Sequence, residues 1–315
     1  MKKRILTGAL MLLVVALFLV SRVYTVYAFD LLIGLLAIVG CVEVSRVLER
    51  RRVFTTIIFI GCFPVILYIA LILGIHFERD WQYLLLYFIV ILIGLFVINF
   101  LYTVCFKGHT DREKDKYGVF SSNSKYAFQK AMNSTFVMIY PAILFCCLFF
   151  INNFFELSFV DKLTMTNTNI IVVFFLVLLF AVTMMTDTFA LVCGMLIGGP
   201  KLCPKISPKK TISGAIGGFV FGACSGIVVY FLFLNNSIFN EAVSVFDIKW
   251  WHIFIVSIVC AIVCQIGDLI ASMLKRSARV KDYGTLFPGH GGVMDRVDGL
   301  IFNALVVLIS MFILI

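Results

Sequence analysis

Of the 315 residues, 62% are apolar and 14% charged, with a mean hydropathy of +1.07, against roughly 25% charged in a soluble globular chain, so a water-soluble domain is excluded as the main architecture. The net charge of +9 does not indicate nucleic acid, because the basic residues are scattered through short segments between apolar blocks and form no single stripe. The ten cysteines lie mostly inside apolar runs, without the paired spacing and flanking histidine of a zinc site, and read as reduced core residues.

The apolar blocks are about 18 to 25 residues long, enough to cross a hydrocarbon core of roughly 30 Å as helix. In chain order they predict nine membrane helices, at 5–21, 24–45, 54–75, 82–106, 131–152, 169–197, 212–234, 250–274 and 298–315. The first follows Met1-Lys2-Lys3-Arg4 and lacks a small-residue cleavage site, so it reads as an uncleaved span. Asp30 and Glu43 lie near the ends of the second, where an interfacial position or a structural partner accounts for them. The sixth holds Asp187 and the Gly194/Gly198/Gly199 cluster, which marks its lower half as a broken or interfacial helix. The mixed-sign stretch at 107–130 reads as a solvated surface segment without chemistry.

The fold expected is therefore all-α, a polytopic integral membrane protein. An N-terminal membrane region, 1–165, carries about five spans, and a C-terminal catalytic membrane region, 166–315, about four. With the N-terminus inside, 22 of the 26 Lys and Arg residues fall in inside segments, and only Arg22, Arg79, Lys162 and Lys249 fall outside. That asymmetry predicts a cytoplasmic N-terminus and an external C-terminus.

Ionisable residues within spans are costly and usually face a cavity or a partner. Asp187 and Asp268 are the two that stand out. Gln265, Asp268, Ser272 and Lys275 recur at spacings of three, four and three, which sets them on one helix face. Such a stripe serves equally as a hydrogen-bond seam against a neighbouring helix.

The stretch that follows, SMLKRSARVKDYGTLFPGHGGVMDRVD at 272–298, reads as an inside loop of unusual content. Its glycines allow backbone N–H groups to approach phosphate oxygens. Lys275, Arg276, Lys281 and Arg296 supply positive charge, and Asp282, Asp295 and Asp298 offer oxygen ligands to hard cations. A second inside loop, at 200–211, places Lys205, Ser207, Lys209, Lys210 and Thr211 before a helix start rich in glycine at Gly214, Gly217 and Gly218. It reads either as an anion site at a helix N-terminus or as a positive-inside anchor with packing glycines. Together these ingredients suit nucleotidyl transfer, where polyphosphate charge must be neutralised and oxygens aligned.

Ser272, Leu274, Lys275-Arg276, Lys281-Asp282, Pro288, His290-Gly291-Gly292-Val293 and Asp295-Arg296-Val297-Asp298 stand at the spacings of a signature that resembles that of the phosphatidate cytidylyltransferases. Asp187-Thr188-Phe189-Ala190 and Ser207 to Thr211 also look like family segments, so the resemblance covers roughly 180–302. Leu191 stands where that pattern has an aromatic, and Ser213 where it has a glutamate.

The resemblance implies a transferase acting in phospholipid biosynthesis at the bacterial plasma membrane, moving CMP from CTP to phosphatidic acid to give CDP-diacylglycerol and pyrophosphate. It implies Asp268 and Asp295 as ligands of Mg2+, with room for a second cation, divalent or K+. Lys275, Arg276, Lys281 and Arg296 would then join these two in catalysis, at a cytosol-facing active site. Substrate contacts are expected from Asp187, Ser207, Lys209, Lys210, Thr211, Ser272, Asp282, His290, Gly291, Gly292 and Asp298, with a loop-ordering hydrogen bond the favoured role of His290. CTP, phosphatidic acid, membrane lipids and a second copy in a homodimer are the partners expected, and nucleic acid is not. A CTP-dependent lipid kinase or a cytidylyltransferase acting on another lipid phosphate remains an alternative. A transporter predicts midplane charges across an inverted repeat, whereas here the polar residues crowd one side.

Overall fold

The computed structural model describes residues 13–22, 24–49, 55–76, 81–102, 123–156, 165–204, 206–287 and 291–315. Among them are α1 (Leu13–Arg22), α2 (Val26–Glu49), α3 (Ile57–His76), α4 (Trp81–Tyr102), α5 (Asn123–Asn152) and α6 (Met165–Leu196). A hairpin of β1 (Lys201–Cys203) and β2 (Ser207–Thr211) follows, then α7 (Ile212–Leu234), α8 (Ser237–Val245), α9 (Trp250–Ser277) and α10 (Met294–Leu314). Each of the nine predicted stretches holds a described helix, with Thr25, Thr55, Thr56, Ile197 and Ile315 outside helix at the margins. Six helices (α2, α5, α6, α7, α9 and α10) are long and apolar enough to cross a membrane, and the described apolar parts of α1, α3 and α4 are shorter.

Packing divides the chain into two compact units, Met1–Ile33 with Leu144–Ile315, and Gly34–Ile143. α2 and α5 are continuous helices that each begin in one unit and end in the other. Within Gly34–Ile143, α3 packs on α4. The Thr56 N–H, one of the amides a helix start leaves without an intrahelical acceptor, donates to Ser134 Oγ at 2.9 Å.

In the larger unit the ends of α1, α2, α5 and α6 meet in a buried polar knot. Arg22 donates to the Asn152 carbonyl (2.8 Å) and to Asn169 Oδ1 (3.0 Å). Asn152 and Asn153 donate in turn to Asp30 at 2.6 and 3.0 Å. Arg22 and Asp30 are 3% and 2% exposed, which only paired groups tolerate. Arg22, an exception in the count of outside cations, is thus a structural residue, and Asp30 has its structural partners.

From Asn169 in this knot to Asp187 the helix α6 rises about 27 Å, so the second polar centre lies at the other end of the bundle. Contrary to expectation, α6 is unbroken to Leu196. Gly198 (φ 67°) and Gly199 (φ 101°) lie beyond it, in the turn that leads to the hairpin, where only residues without a Cβ adopt such angles readily. The segment at 200–211 is correspondingly not a plain loop. β1 and β2 pair antiparallel, Lys201 with Thr211 and Cys203 with Ser207.

Lipid gives helices no hydrophobic reason to associate, so close backbone contact between small residues takes its place. Gly214, Gly218, Gly222 and Gly226 recur every four residues along α7 and face α6 and α9. A Cβ at Gly218 would meet the Thr186 carbonyl oxygen at 2.6 Å, and one at Gly222 the Ala261 Cβ at 3.2 Å. Thr211 starts α7 by accepting the Gly214 N–H (3.1 Å). Gly218→Ala is expected to lower the stability of purified protein by about 1–3 kcal/mol, since the obstructing atom is backbone. Gly34→Ala, where nothing lies within 4 Å, should leave stability unchanged or raise it. Thermal unfolding in detergent distinguishes the two.

Candidate active site

The signature is less of a loop than its composition suggests. Ser272 to Ser277 belong to the last turns of α9, and Met294 to Asp298 to the first turns of α10. The end of α9 lies beside the hairpin that joins α6 to α7.

Lys275 is the hinge of this arrangement. Its ammonium lies 2.8 Å from Asp295 Oδ1, 3.8 Å from Asp298 Oδ2 and 5.0 Å from the centre of the Tyr283 ring. All three charged side chains are largely withdrawn from solvent, at 10%, 3% and 11% exposure. Asp295 Oδ2 accepts the N–H groups of Tyr283 (2.7 Å) and Gly292 (2.9 Å). The carboxylate therefore lies at the N-terminal turn of α10, where the helix dipole favours negative charge, and it folds the intervening chain around itself. Tyr283 adds a bond from its hydroxyl to the Ala271 carbonyl (3.1 Å).

Gly291 and Gly292 serve this turn. Gly291 has φ 86°, its carbonyl accepts the Phe287 N–H at 2.9 Å, and a Cβ there would meet Asp295 Oδ2 at 2.6 Å. The Gly292 amide is spent on Asp295, so in this arrangement it is a loop-closing group. His290, with Pro288 and Gly289, lies outside the described residues.

A second, more open set of charges adjoins the buried one. Asp268 on α9 forms an ion pair with Lys210 of β2, the two side chains 30% and 27% exposed. Asp187 on α6 is exposed, accepts a weak bond from Cys264 Sγ (3.7 Å), and feels the charges of Asp268, Lys210 and Arg296. Asp298 in turn feels Asp268, Lys275 and Asp187. Carboxylates from α6, α9 and α10 thus share one field with cations from β2, α9 and α10. Among the described residues no three Asp, Glu, His or Cys side chains are gathered as a metal-binding cluster.

The remaining candidates divide by position. Arg276 ties α9 to the hairpin by donating to the Ile206 carbonyl (3.3 Å), and it also donates to the Val280 carbonyl (3.1 Å). Lys209, Lys281, Asp282 and Arg296 are exposed, while Ser207 and Ser272 are half-buried. Thr211 is occupied as the cap of α7, and Ser213 Oγ, at the departure from the family pattern, donates to the Gly198 carbonyl.

The α9 stripe proves to be a seam with several partners. Gln265 donates to the Ala215 carbonyl (3.1 Å), Asp268 meets Lys210, and Lys275 meets Asp295. Tyr283 and Cys264 are the contributors that spacing did not single out. Tyr283 sits beside Asp282 inside the signature, and Cys264 lies one turn before Asp268.

A protein of Brucella abortus (strain 2308) named phosphatidate cytidylyltransferase is 43% identical over 129 residues, 41% of this chain and 43% of its own length. Its namesake from Rickettsia conorii is 35% identical over 153 residues, 48% of this chain and 62% of its own. That from Staphylococcus haemolyticus is 43% identical over 124 residues, 39% and 43% of the two chains. The matched stretches therefore span less than two thirds of these relatives. The family's own pattern is broader, matching residues 2–314, and on that near end-to-end agreement the chain belongs to the cytidylyltransferase family.

Proposed function

We propose that the protein transfers CMP from CTP to phosphatidic acid, forming CDP-diacylglycerol and releasing pyrophosphate. The observation that carries this reading is the gathering of Asp187, Asp268 and Asp298 with Lys210, Lys275 and Arg296 at one end of an apolar bundle. Membership of the cytidylyltransferase family and relatives named for phosphatidate support it.

A phosphate oxygen of phosphatidate attacks the α-phosphorus of CTP, and the bond from that phosphorus to the bridging oxygen of pyrophosphate breaks. The nucleophile is already an anion, so no protein base is required. Catalysis is then mainly electrostatic, through groups fixed before the reaction. Lys210 and Arg296, at the open side, meet phosphate oxygens, and exposed Lys281 and Lys209 lie ready for the polyphosphate. Lys275 is fully engaged inside and holds Asp295 and Asp298 in register.

Mutual repulsion among Asp187, Asp268 and Asp298 suits a hard cation. Asp268 is the accessible ligand, and Asp295 retains one lone-pair direction beyond those that accept from Lys275, Tyr283 and Gly292. Mg2+ bound there would offset triphosphate charge, and a second cation would add to that effect.

In the same reading all nine helices α1 to α7, α9 and α10 span the bilayer, with the catalytic end cytosolic and the C-terminus outside. The Lys and Arg asymmetry supports that orientation. In a background lacking the native cysteines, Thr285→Cys should react only with cytosolic reagents and Glu241→Cys only with external ones. Labelling of Thr285→Cys from outside would overturn the orientation.

Two substitutions separate scaffold from chemistry. Asp268→Asn should leave folded protein intact yet lower CDP-diacylglycerol formation on the order of 100-fold or more, as when one preorganised electrostatic group is lost. Lys275→Met, which strands two buried carboxylates, should cost about 3–5 kcal/mol of stability. Turnover per folded molecule with radiolabelled CTP, alongside thermal unfolding in detergent, reads both. Normal turnover of Asp268→Asn would remove the site assignment.

A further inference from the structure

An apolar groove of about 400 Å³ runs between α7 and α9. Its walls are Ala215, Ile216 and Phe219 on one side and Ile262, Ile266 and Leu269 on the other. Ile216, Ile262 and Ile266 are 59%, 45% and 49% exposed, so the groove is open along its length to whatever surrounds the bundle.

Its two ends differ. Deeper in the bundle the helices close on each other, with Gly222 against Ala261 and Gly226 against Ser257, and the groove stops. Toward the catalytic end they part, and the Gln265 amide bridges the gap to the Ala215 carbonyl as a floor. Leu202 of the hairpin and Ile212, the first residue of α7, flank the head. Lys210 lies two residues before Ile212, Asp268 immediately precedes Leu269, and the two form an ion pair. The apolar channel therefore begins where the charged site begins.

We propose that this groove receives one acyl chain of the lipid substrate, an assignment that rests on the phosphatidate reading. The occupant must be apolar, elongated and attached to an anionic head. Between Ile212 and Phe219, as between Ile262 and Leu269, seven residues of helix rise about 10 Å. That is most of one leaflet's share, about 15 Å, of the hydrocarbon core. A chain lying there carries its phosphate to Lys210 and the carboxylates beyond, so the groove selects for lipid and aligns the attacking oxygen without touching it.

The test uses full-length protein in detergent, with dioleoyl and dibutyryl phosphatidate as probes. Ala215→Phe, which fills the middle of the groove, should raise KM for dioleoyl phosphatidate on the order of tenfold and leave KM for CTP and turnover of the dibutyryl lipid unchanged. Phe219→Ala, which adds no bulk and lengthens the groove, should raise kcat/KM for a methyl-branched phosphatidate relative to the dioleoyl form. Equal losses on long and short chains with Ala215→Phe, or no shift in preference with Phe219→Ala, would overturn the assignment while wild-type activity upheld the reaction. Crosslinking of Ile266→Cys to its counterpart in a second copy would also overturn it, by showing that protein covers the groove. Wild-type protein that makes no lipid-linked cytidine from either probe would instead refute the phosphatidate reading itself.

Discussion

The end of the bundle where α9 gives way to α10 is organised around one buried ammonium. Burying the Lys275 ammonium among apolar helices is costly unless Asp295 and Asp298 lie beside it, and removing it would strand the two carboxylates. Because Lys275 is near the end of α9 and the aspartates are in the first turns of α10, this mutual dependence joins two helices whose connecting segment has little apolar surface to bury. Asp295 then uses its second oxygen to gather Tyr283 and Gly292, and the connection closes over the pair. Asp298 presents its charge to Asp268 and Asp187, so the buried set and the open set share one field.

That field also needs the helices to approach closely. The four-residue glycine repeat of α7 lets α6 and α9 come within backbone contact, which brings Asp187 and Asp268 to the same end of the bundle. Where Ser257 and Ala261 of α9 give way to Ile262, Ile266 and Leu269, the apolar groove opens between α7 and α9. One packing device thus explains both the convergence of the polar groups and the channel that adjoins them. At the opposite end of α6, Arg22 and Asp30 with three asparagines hold further helix ends together by the same rule, a buried charge fully engaged by partners.

Much of this was legible in the residues because a bilayer imposes simple demands on a sequence. The nine apolar stretches are helical over nearly all of their described residues, since a helix satisfies its own backbone away from water. The signature at 272–298 stood out because it combines charges with four glycines, and its described residues lie around the end of α9 and the start of α10. Less visible was the state of individual groups. The hairpin at 201–211 is short and polar, and neither strand has the alternation that announces a sheet. Gly292, expected to contact substrate, donates its N–H to Asp295, and Lys275, expected in catalysis, lies buried against Asp295.

By itself, then, the amino-acid sequence determined the apolar helices and the family, because hydropathy and fixed spacing are properties of the chain. Only the tertiary structure decided which charges face each other. Lys210 with Asp268, Asp187 beside Cys264 and Gln265 across to Ala215 are separated by 58, 77 and 50 positions in the chain. No local periodicity encodes such pairs. They arise when small residues on α7 let three helices close together, and burial then requires every charge at the seam to find a partner.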